Sequence, residues 1–80
     1  MNDFDAIALF HQAVDWVETE YKDWPAEVYT YVIMAREIEN ICFEEGVALK
    51  VSFVADEKGV TFTSVLQPVV KNVKVNGIVE

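Results

Sequence analysis

Histidine and cysteine occur once each, as His11 and Cys42, so the chain holds neither an intramolecular disulfide nor a cluster of the usual metal ligands. Nothing calls for an oxidising compartment, and the cytoplasm is the expected location. Basic residues are scarce too: 6 Lys and Arg face 14 Asp and Glu, for a net charge of -8. Phosphate backbones and anionic lipid both need cations to neutralise them, which argues against direct binding to nucleic acid or to a membrane surface. No uncharged apolar run nears the ~20 residues that span a bilayer, and Met1-Asn2-Asp3 is acidic where a secretory signal is positive. A glycine-rich phosphate loop, Gly-x-Ser-x-Gly and Cys-x-x-Cys are all missing, so neither an enzyme nor a cofactor is expected.

What is present is the composition of a folded protein, 52% hydrophobic and 25% charged over 80 residues, read as one domain spanning 1–80. A chain this short buries only about 60% of its unfolded surface, so a homodimer or a protein partner is an expected source of further burial. Charge divides it sharply. Residues 1–46 carry 11 acids against Lys22 and Arg36, a net of -9, while residues 47–80 carry 3 acids against 4 lysines, a net of +1.

Periodicity divides it at the same place. Ile7, Phe10, Val14, Val17 and Tyr21 recur at helical spacing, with Asn2 or Asp3 available to cap, which predicts helix one over 3–22. Pro25 suits a first helical turn, with Asp23 nearby to cap, and Gly46 suits a C-terminal cap, so helix two is expected over 25–45. Its core face reads Val28, Tyr31, Met34, Ala35, Ile38, Ile41 and Cys42. Tyr29, Val32, Ile33 and Phe43 point broadly the other way, as in a helix sandwiched between helix one and a sheet. Trp24 reads as a staple closing the helix hairpin.

From Val47 the period becomes two, with Val47, Leu49, Val51 and Phe53 on one face. Asp56-Glu57-Lys58-Gly59 predicts a hairpin turn, most simply type I with Gly59 at positive φ, and Val60-Thr61-Phe62-Thr63 opens a second strand that ends before Pro68. Residues 47–80 thus form a β-hairpin plus a third strand over Val69–Val75 or a tail, with Lys50, Ser52, Thr61, Thr63, Asn72 and Lys74 on the solvated face. The expected fold is α+β: an antiparallel helix hairpin packed on one face of a small antiparallel sheet of 2–4 strands, in ααβββ order.

Residues that could carry chemistry are few. His11 beside the apolar seam reads as structural, and Cys42 between Ile41 and Phe43 as an inert core thiol. The carboxylate pairs Glu44-Glu45 and Asp56-Glu57 lack a ligand loop and read as solvated surface, with no metal site. A winged helix-turn-helix needs a basic recognition helix, whereas helix two has Arg36 against five glutamates.

Surface remains. Leu9 and Trp16, seven apart, form a second apolar stripe on helix one, suited to anchoring a partner or a symmetry mate. Asp15, Glu18, Glu20, Glu37, Glu44 and Glu45 outnumber the cations available to pair with them and would steer the protein to a basic surface. The expected function is a non-catalytic, acidic protein-binding module. In size and charge alone it is similar to the small inhibitors that phages and mobile elements direct against restriction or CRISPR nucleases, some of which mimic DNA. The alternative is a homo-oligomeric structural or assembly protein whose charge only keeps it soluble.

Overall fold

The computed structural model describes residues 3–67. Within them the chain folds as α1 (Asp3–Glu20), α2 (Val28–Glu44), β1 (Leu49–Asp56) and β2 (Gly59–Leu66), with the two strands forming an antiparallel sheet. The α+β class, the helix hairpin and its packing on a small sheet are as the sequence predicts. The third strand expected over Val69–Val75 lies outside the described residues.

Small residues set how closely the helices approach. The buried row of α1 is Ala6, Phe10, Ala13 and Val17, and that of α2 is Thr30, Met34, Ile38 and Cys42, each spaced at three or four as one helix face requires. Two members of the expected seams are therefore corrected: Ile7 is 56% exposed and Val28 65%. In α1 the alanines take the contact line, which turns Ile7 towards solvent. In α2 the spine runs through polar Thr30, whose Oγ1 is buried with no hydrogen-bond partner among the described residues, and Val28 falls beside that row. α2 packs on both α1 and β1 but through one face, so the expectation of a helix buried on two sides is corrected: Tyr29, Val32 and Phe43, which point the other way, are exposed, while α1 meets β2 only at its margin.

Both helix boundaries at the connection also shift. The Trp24 N–H donates to the Tyr21 carbonyl at 3.0 Å, closing a turn that stops α1 at Glu20 rather than residue 22. Glu27 is extended (φ -140°, ψ 163°) and serves as N-cap without a side-chain bond, so α2 starts at Val28, not Pro25, and Asp23 does not cap it. Trp24 is 45% exposed and packs against Tyr21 with the rings tilted at 58° and their centroids 4.8 Å apart, and the Tyr21 hydroxyl donates to Glu37 Oε2 at 2.9 Å. The hairpin is tied to α2 through Tyr21, with Trp24 leaning on it.

The far end of α2 behaves as read. Glu45 is the C-cap; the Gly46 N–H donates to the Phe43 carbonyl at 2.9 Å and the Val47 N–H to that of Cys42 at 2.9 Å, a Schellman closure. It needs the φ of +88° that Gly46 adopts, a value L side chains rarely take. Strand pairing then runs from Leu49 opposite Leu66 to Asp56 opposite Gly59, leaving a two-residue loop in which Asp56 Oδ1 accepts from the Lys58 N–H at 2.8 Å. Gly59 has φ +133°. Val51, Phe53 and Phe62 face the helices, while Lys50, Ser52, Val54, Thr61, Thr63 and Val65 face away.

One side-chain contact joins α2 to the rim of the sheet. Residues 48, 50, 52, 54 and 56 direct their backbone bonds to β2, so the Val51 N–H points outward, and Glu39 Oε2 accepts it at 2.7 Å. A charged acceptor on an edge amide both satisfies that amide and blunts the edge against stray pairing.

Candidate partner-binding groove

Packing α1 against α2 leaves a groove on one flank of the pair. Leu9, Gln12, Ala13 and Trp16 line it from α1, and Ile41 and Glu45 from the α2 end. Leu9 is half-buried and Trp16 is 57% exposed, so the floor is apolar and the indole stands open to solvent. Glu20 lies one turn beyond Trp16 on α1 and Glu37 one turn before Ile41 on α2, which puts them at one end of the groove and Glu45 at the other.

Glu20 and Glu37 lie near enough for one carboxyl to perturb the other. Hydrogen bonding to the Glu37 carboxylate, then burial and the repulsion of that second charge, holds the Glu20 carboxyl above its ordinary value. Tyr21, bonded to the same carboxylate, is also raised, first by that hydrogen bond and then by burial and the two neighbouring charges. A carboxyl raised in the folded state adds stability that is complete below its unfolded value and lost as pH rises through the folded one. Glu20→Gln, which keeps a donor towards Glu37 and removes the charge, is therefore expected to raise the neutral-pH melting temperature. It should also remove the stability that Glu20 is expected to add as the wild type is acidified from neutral towards the ordinary glutamate range. Thermal melts at a series of pH values read this, and parallel pH profiles for the two proteins would disprove the pairing.

The structure gathers some of the sequence candidates and separates others. Leu9, Trp16 and Glu45 line the groove, and Glu20 and Glu37 meet at its end. Asp15 and Glu18 are exposed about 100° and 160° round α1 from Trp16, so they sit on other faces, and Glu44 is exposed one residue before Glu45. The acids form no single patch. Ile41, read from sequence as core, is half-buried and supplies the α2 wall of the groove. Its place at i+4 from Glu37 and i-4 from Glu45 was the available signal, because that row lies on the flank of the core face.

Neither the histidine nor the cysteine lines the groove. His11 is exposed, its ring 5.5 Å from that of Phe10. Cys42 is fully buried, and burial pushes its thiol pKa up, away from the reactive thiolate. Among the described residues no three His, Cys, Asp or Glu side chains converge on a point where a metal could sit, and no helix is long and apolar enough to cross a membrane. No protein-family model matches the chain, and neither a curated protein nor a solved structure is significantly similar to it.

Proposed function

We propose that the protein is a non-catalytic binding module whose α1/α2 groove receives an apolar anchor from the basic surface of a partner protein, acting in the cytoplasm. The observation that carries this reading is the groove itself: an exposed tryptophan over an apolar floor of Leu9, Ala13 and Ile41, with Glu45 in its lining. Buried aromatic anchors supply most of the affinity in such contacts, and rim charges supply orientation and on-rate. The sharpest form of the proposal makes the target a nucleic-acid-binding protein, such as a host nuclease or defence complex, where carboxylates take the place of phosphates.

The test is to immobilise the protein, pass cell lysate over it at low salt, identify what a salt step releases, and titrate that partner against variants. Trp16→Ala is expected to weaken binding by at least about 1 kcal/mol, roughly fivefold, with the salt dependence kept. Glu45→Lys is expected to slow association and flatten the salt dependence instead. Equal affinity for both variants and the wild type, or recovery of the protein's own chain alone at every salt concentration, would remove the assignment.

A further inference from the structure

The outer face of α2 is a second, separate surface. Tyr29, Ile33, Arg36, Asn40 and Phe43 follow one another at spacings of 4, 3, 4 and 3, the seam spacing of paired helices. Tyr29 is 51% exposed, Phe43 71%, and neighbouring Val32 42%; Ile33 is half-buried. At the start of the helix Val28, Tyr29, Val32 and Ile33, with Glu27 at the rim, form a shallow apolar hollow. The exposed Phe43 ring stands on the same face ten residues beyond Ile33, about 15 Å along the axis.

We infer that this face pairs with the same face of a second copy, as an antiparallel α2–α2 dimer in which each Phe43 fills the other chain's Tyr29/Val32/Ile33 hollow. Knob and hollow lie on one helix, so a single two-fold operation fills both at once, as an isologous interface requires. The register that sets Ile33 against Phe43 also sets Arg36 against Asn40. The two polar positions in mid-seam then meet as guanidinium donor and amide acceptor rather than against apolar side chains. Charge leaves this face open to the same occupant. In a chain of net -8 most surfaces repel a copy of themselves, but the five seam positions carry no carboxylate and include Arg36, the only arginine. The same register sets Glu44 opposite Val32 and leaves Glu37 and Glu39 of both copies flanking the two-fold axis, so salt relieves repulsion and tightens the dimer. Groove docking on a basic partner responds to salt in the opposite direction, which separates the two proposals.

Two phenyl knobs and a seam of about 21 Å form a small interface, so the expected association is micromolar rather than tighter. Sedimentation equilibrium at about 100 µM should give twice the chain mass of 9.1 kDa, with association strengthened between low salt and about 0.5 M. Phe43→Glu and Val32→Glu, both at solvent-exposed positions, should each weaken the dimer at least about tenfold with unchanged circular dichroism. Trp16→Ala should leave it intact. A wild type at single-chain mass under both salt conditions would overturn the inference, as would a dimer that survives both glutamate substitutions or is lost in Trp16→Ala.

Discussion

Ile38→Ala is expected to remove about 3 to 5 kcal/mol of unfolding free energy, the upper part of the range for such a truncation. Ile38 is fully buried in the middle of the α2 spine, with Met34 one turn before it and Cys42 one turn after, both also buried. Because α2 is the element that touches both α1 and β1, a cavity at Ile38 opens where the two layers meet. No peripheral element can move in to fill it without giving up contacts elsewhere. An 80-residue domain holds in all only about 4 to 12 kcal/mol, so the variant sits near the edge of folding at room temperature. Urea denaturation followed by circular dichroism measures the loss. An unfolding free energy within about 0.5 kcal/mol of the wild type, the size of an ordinary surface change, would refute this view of the core.

Phe62→Ala is expected to cost a similar amount, about 3 to 5 kcal/mol, for a different reason. A two-stranded hairpin has little stability in water alone and survives by the face it packs on a helix. Phe62 is 8% exposed and meets its cross-strand partner Phe53 edge-to-face at 6.2 Å; Phe53 in turn meets Tyr31 of α2 at 5.6 Å. This aromatic row carries the contact from β2 through β1 to α2, and each such pair adds about 0.5 to 1.5 kcal/mol beyond the area it buries. Losing the β2 end of the row should release β2 first, so amide exchange in Gly59–Leu66 ought to accelerate before that in α2. The control is Val54→Ala, on the far face of the sheet and 65% exposed, expected to change stability by no more than about 0.5 kcal/mol. Equal costs at the two positions would mean that this face does not hold the sheet.

Much of this architecture is legible in residue order, and the misses are instructive. Met34, Ala35, Ile38 and Cys42 lie inward as their spacing says, and Val47 and Val51 on the buried face as theirs does. Gly46 and Gly59 take positive φ where a helix stop and a turn were expected. Ile7 and Val28 went the other way because hydrophobicity ranks an isoleucine above an alanine, whereas close helix contact favours the alanine. The buried Thr30 is a case local sequence could not reveal: a threonine in the first turn of a helix reads as exposed until the row through Met34 and Ile38 is known to face α1 and the sheet. In the groove, Leu9 and Trp16 were readable as a stripe off the core. That Ile41 and Glu45 would face them across the helix pair was not, since no periodicity within α1 refers to α2.

Residue order by itself determined the two helices, the hairpin, the cap at Gly46 and the concentration of negative charge in the first half, because each depends on spacing and local backbone preference alone. The tertiary structure decided which acids meet. Glu20 and Glu37 are 17 positions apart and share an environment, while Glu18, two residues from Glu20, faces elsewhere. It also sent Glu39 to the amide of Val51 rather than to solvent, and built one groove from two helices. Pairings between elements depend on the rotation and crossing of packed helices, which small residues such as Ala6 and Ala13 fix by a steric fit that no single segment contains.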